Sequence, residues 1–93
     1  MDKDKLVTIE TYNRQAVAFA AKFDEQGPRQ DDIEKIFKLC QKTNPYVLEI
    51  GCGNGRDAAQ IILKTTNYLG IDVSGSLLNL AKEKVSIGRC GRI

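Results

Sequence analysis

An α/β fold is predicted by three features of the sequence. Two helical stretches occupy the chain before residue 45. A strand, a glycine loop, a helix and a second strand then follow, and an acid closes that second strand. Two N-terminal helices ahead of a β-α-β-α unit imply parallel strands, because a crossover helix returns the chain to the same end of the sheet.

Each element has its own signal. From about Thr8 to Phe23 apolar residues recur at helical spacing, with Tyr12, Ala16, Phe19, Ala20 and Phe23 on one face. Gly27-Pro28 breaks that helix. Asp31-Asp32 opens a second one, where acids suit the positive end of the helix dipole. Ile33, Ile36, Phe37 and Cys40 form its apolar stripe, and Asn44-Pro45 ends it. Tyr46 to Ile50 is a short β-branched and aromatic run, read as a strand. Gly51 to Gly55 is a glycine loop, and Arg56 to about Lys64 reads as a helix with Ala58, Ile61 and Ile62 inward. After a turn at Thr65-Thr66-Asn67 comes a second strand, Tyr68 to Asp72. Ser74 caps a last helix to about Val85, with Leu77, Leu78, Ala81 and Val85 on the core side. The organisation is one domain over 1–93: helices in 1–44, a βαβα unit in 45–85, and a tail in 86–93. Two glycines and no clear period leave the tail as either a frayed end or the start of a third strand.

Composition narrows the class. The 93 residues suffice for one small domain with a thin core. The 14 basic and 12 acidic residues are interspersed, so no run reads as a nucleic-acid or membrane patch. Cys40, Cys52 and Cys90 are widely separated and the chain has no histidine, which argues against a metal site or a disulfide framework. No signal peptide or membrane-spanning run is visible, and a reduced, cytoplasmic setting is the expectation.

The chemistry concentrates in Glu49-Ile50-Gly51-Cys52-Gly53-Asn54-Gly55 and in Asp72. Alternating glycines let the chain turn sharply at a strand end and clear side chains from a ligand's path. The loop amides and the following helix N-terminus are expected to face that ligand. Asp72, at the end of the next strand, can accept both hydroxyls of a ribose. It can also cap the following helix, in competition with Ser74. Tyr12 and Phe19 suit a core as well as a contact, and Cys52 reads as a small packing residue. Asp57 either pairs with Arg56 or reaches a ligand beside the loop.

The acid followed by Gly51-Cys52-Gly53-Asn54-Gly55, together with Tyr68-Leu69-Gly70-Ile71-Asp72-Val73-Ser74, resembles two motifs of class I S-adenosylmethionine (SAM) dependent methyltransferases. Thr11-Tyr12-Asn13-Arg14 with Phe19 and Phe23 resembles the lead-in helix of such enzymes, and the likeness extends from about Tyr12 to Lys84. It implies an incomplete Rossmann-like methyltransferase fold and SAM as cofactor. The implied cofactor-binding residues are Tyr12, Glu49, Gly51, Cys52, Gly53, Asn54, Gly55, Asp57, Asp72 and Val73. Asp57 would lie toward the methionine end of the cofactor. A nicotinamide fingerprint requires glycine at position 56, where this chain has Arg56. The family's domain has about seven strands against two expected here. No catalytic residue or methyl acceptor is assignable, and the chain reads as a truncated domain, inactive by itself. The alternative is a non-catalytic half-domain that self-associates or docks through its open sheet edges.

Overall fold

The computed structural model describes residues 2–85 and 90–92. The element order is α1 (Lys3–Arg14), α2 (Ala16–Gln26), α3 (Gln30–Cys40), β1 (Val47–Ile50), α4 (Ala58–Ile61), β2 (Tyr68–Asp72), α5 (Gly75–Lys84) and β3 (Cys90–Arg92). The strands form one parallel sheet in the order β1-β2-β3. Fold class and strand direction are therefore those expected: a partial Rossmann-like α/β fold. The sheet has three strands rather than two, since Gly70, Ile71 and Asp72 pair with Cys90, Gly91 and Arg92. The remaining tail positions, 86–89 and 93, lie outside the described residues.

Several boundaries differ from expectation. The single helix over Thr8–Phe23 is two helices that meet at Gln15. It begins earlier because Asp2 caps it, accepting from the Lys5 amide at 2.9 Å. The hydroxyls of Thr8 and Thr11 donate to carbonyls four residues back, a pattern that bends helices. α3 ends at Cys40, with Gln41 left-handed at φ 55°, so Asn44-Pro45 is not its terminus. Asn44 instead anchors the next turn, its side chain accepting from the Thr66 amide at 2.7 Å and from the Thr65 hydroxyl at 3.0 Å. The helix expected over Arg56–Lys64 keeps only Ala58–Ile61 as α-helix. Three-residue hydrogen bonds tighten both of its ends.

The helices cover one face of the sheet. Ile33, Ala58, Ile61, Leu78, Ala81 and Val85 pack there around Tyr68 and Cys52. A smaller cluster of Ala16, Ala20 and Leu77 joins α2 to α5. Side chains alternate across a strand, so the other face carries Leu48, Ile50 and Leu69, all exposed. The expected α3 stripe is half realised: Ile33 is buried and Phe37 half-buried, whereas Ile36 and Cys40 are exposed. β1 is an edge strand among the described residues, and Ile36 faces an open groove shared with Val47 and Leu48.

Candidate functional site

The site lies where β1 and β2 end, the position at which open parallel sheets take ligands. Glu49 sits opposite Gly70 and Ile50 opposite Ile71 in the parallel register. The ladder then runs past β1, because the amides of Gly51 and Cys52 both donate to the Ile71 carbonyl, at 2.7 and 3.0 Å. The Gly53 amide donates to Asp72 Oδ2 at 2.8 Å, and the Gly55 amide to the Cys52 carbonyl at 3.1 Å. Four loop amides are thus engaged within the protein. The expected cradle of loop amides facing a ligand is corrected on this point: what the loop offers is a bend and an open surface.

The loop glycines have separable roles. Gly51 has φ 76°, and a Cβ there would meet nothing within 4 Å, so its missing side chain leaves free space at the strand end. A Cβ on Gly53 would point at the Phe23 ring, 3.7 Å away. A Cβ on Gly55, at φ 85°, would press on Ala81 of α5 at 3.2–3.3 Å. Gly55 therefore permits close packing of the loop on a helix.

Two clefts flank the loop and share Phe23, Gly51 and Gly53. The larger, about 350 Å³, is lined also by Tyr12, Ile50, Asp72, Val73 and Leu77. The smaller, about 180 Å³, is lined also by Arg29, Glu49, Cys52, Asn54, Arg56 and Asp57. All the sequence-predicted residues except Gly55 therefore border one cleft or the other; Gly55 lies beneath, against α5.

Asp72 joins loop and helix. Besides the Gly53 amide it accepts from the Ser74 amide at 2.9 Å, through Oδ1. Ser74 takes the capping role, accepting from the Leu77 amide at 3.2 Å. Asp72 is nearly buried but borders the larger cleft, and each carboxylate oxygen has a second lone pair for a ligand hydroxyl.

The smaller cleft is built from charges. Asp57 is chiefly paired with Arg29 rather than with Arg56. It accepts from the Arg29 amide at 2.9 Å, from Nε at 2.9 Å and from Nη2 at 2.6 Å, while Arg56 stands 3.5 Å away. Burial alone would raise the Asp57 pKa, but the Arg29 hydrogen bonds and charge outweigh it and hold the carboxyl below its ordinary value. Glu49 is displaced the other way: burial raises its pKa, and the hydrogen bond from the Tyr68 hydroxyl, at 2.7 Å, only partly opposes this. Asn54 is buried and turned toward α2, donating to Asp24 Oδ1 at 3.0 Å.

Three contributors escaped sequence reasoning, and a fourth, Arg56, is legible there only as a neighbour of Asp57. Arg29 follows a Gly-Pro break and shows no spacing signal. Asn13 accepts from the Ser74 hydroxyl at 2.7 Å and so ties α1 to the start of α5. Tyr68 read only as a strand residue. Arg56 lies 5.7 Å from the centre of the Phe23 ring, over its face.

A parallel sheet with a glycine loop and an acid at its carboxyl edge places the protein among Rossmann-like α/β folds. Residues 47–91 match the methyltransferase domain family. Two proteins of Leptospira interrogans, each described as an uncharacterized RNA methyltransferase, are 38% identical to this chain over 53 residues; they come from serovar copenhageni (strain Fiocruz L1-130) and serovar Lai (strain 56601). The matched stretch is 57% of this chain and 13% of each relative. No solved structure matches the chain. The match runs from β1 into β3 and takes in the glycine loop and Asp72. Among the described residues no helix is long and apolar enough to cross a membrane.

Proposed function

We propose that this chain holds SAM or S-adenosylhomocysteine across the glycine loop, as the cofactor-binding part of a methyltransferase. The observation that carries this is the Asp72–Gly53 hydrogen bond, which makes the ribose acid and the loop one rigid unit at the lip of the larger cleft. The residues fit such a ligand. Asp72 accepts ribose hydroxyls, and Val73, Ile50 and Tyr12 offer apolar surface beside it. Glu49 is set to face the ammonium of an amino-acid end, because Asp57 is already engaged by Arg29. Open space at Gly51 lets the ligand pass from one cleft to the other. Bound SAM supplies an electrophilic methyl group on a sulfonium; the chain's own residues bind, orient and shield. The acceptor is unassigned. Turnover requires a second wall beyond β1 to align it.

Calorimetry with SAM, S-adenosylhomocysteine and NAD tests this directly. Heat is expected with both sulfur nucleosides and not with NAD, since Arg56 occupies the third glycine position of a nicotinamide loop. A folded sample that gives no heat with either sulfur nucleoside refutes it.

A second reading is favoured by the bare sheet face. Purely parallel sheets are ordinarily covered on both faces, yet Leu48 is 58% exposed and Ile50 73% exposed, beside an unpaired β1 edge among the described residues. In that reading the chain acts by self-association, and sedimentation across a concentration series checks it.

A further inference from the structure

We infer that Tyr68 is a positioning residue for the cofactor: its phenol, seated in the space that Gly70 leaves over β2, fixes the Glu49 carboxylate at the wall of the smaller cleft. This rests on the cofactor reading of the site.

Tyr68 and Gly70 are two apart on one strand and so share the helix-covered face. Tyr68 is 2% exposed, and its hydroxyl donates to Glu49 Oε1 at 2.7 Å. Glu49 and Gly70 are neighbours in the parallel register. A Cβ on Gly70 would lie 2.3 Å from the Tyr68 oxygen and 2.9–3.0 Å from the Cys52 side chain. Gly70 does not have the left-handed φ that would require glycine for its backbone. The space it leaves therefore accounts for glycine there, and that space is where the phenol crosses toward β1. Three residues on two strands thus specify one arrangement with a carboxylate at its end.

The charged groups around Glu49 come from other elements: Asp57 ahead of α4, Arg29 at the entry to α3, and Arg56 in the loop. Among the described residues Glu49 forms no ion pair with either arginine. The phenol is therefore the contact that orients the carboxylate before a ligand arrives. An O–H donor to a carboxylate is a short, strong hydrogen bond and stabilises the ionised form.

The test is Tyr68→Phe, which keeps the ring and removes the donor. Carbon-13 NMR follows the Glu49 carboxyl, assigned by Glu49→Gln, while calorimetry with S-adenosylhomocysteine reads affinity. In Tyr68→Phe the Glu49 titration should move to higher pH and affinity should fall about tenfold. In a Glu49→Gln background the same change should cost nothing more. An unmoved titration overturns the inference, as does an equal affinity loss in the Glu49→Gln background. Should Tyr68→Phe fail to fold, 3-fluorotyrosine incorporation makes the phenol a stronger donor with little added bulk. The titration should then move to lower pH, and no movement again overturns the inference. If the parent binds neither sulfur nucleoside, the cofactor reading fails, and with it the role given to Tyr68, even where the titration responds.

Discussion

Gly55→Ala isolates packing from ligand binding. The residue sits at φ 85°, and an added Cβ would stand 3.2 Å from the Ala81 Cα, 3.3 Å from its Cβ and 3.5 Å from its carbonyl oxygen. Holding alanine in a left-handed conformation costs about 1–2 kcal/mol. Forcing a methyl into a packed contact costs about 1–3 kcal/mol more. Ala81 is fully buried on α5, so the contact relaxes only if that helix moves. The sum is a large share of the roughly 5–15 kcal/mol that stabilises an ordinary domain. At about 4–8 °C per kcal/mol for a chain of this size, melting should fall by roughly 8–40 °C. Gly51→Ala carries the backbone strain alone, because nothing lies within 4 Å of its Cβ. It should lower melting much less but obstruct the passage between the clefts. Calorimetric melting of the two variants beside the parent decides the matter. If Gly55→Ala melts within a few degrees of the parent, or above Gly51→Ala, then α5 does not constrain the loop and the argument is wrong.

Further outcomes are expected. Asp72→Ala should weaken S-adenosylhomocysteine binding roughly ten- to a hundredfold, from the loss of a contact worth about 1.5–3 kcal/mol. It should also lower melting, because the Gly53 and Ser74 amides lose their acceptor; unchanged affinity in a titration would remove Asp72 from the site. Asp57 has a depressed folded pKa, so its contribution is present above the ordinary carboxylate range and is lost as pH falls through the folded value. Asp57→Asn should therefore lower stability at neutral pH and flatten the acid limb of a melting-against-pH curve. Glu49 has a raised folded pKa, and the sign reverses: its contribution is present at low pH and lost as pH rises through the folded value. Glu49→Gln should accordingly melt higher than the parent at neutral pH even as ligand affinity drops. Leu48→Asp on the bare sheet face should reduce any self-association seen in sedimentation; association unchanged by it would place the contact elsewhere.

The sequence by itself determined the parallel α/β class, β2 to the residue, the Ser74 cap and the core side of α5. These are local signals: period-two and helical patterning, a capping hydroxyl, and glycines at a strand end. It also placed Glu49, the glycine loop and Asp57 side by side, because a strand end and its loop are contiguous in the chain. Tertiary structure decided what those residues do there. Whether a loop amide faces a ligand or the Ile71 carbonyl depends on strand register, which no local pattern encodes. Arg29 reaches Asp57 across 28 positions, and Tyr68 reaches Glu49 across 19; neither separation has a period to read. The exposed half of the α3 stripe has the same origin. An apolar side chain declares that it suits burial, but only the arrangement of neighbours settles whether a surface is there to receive it, as for Ile33 and not for Ile36.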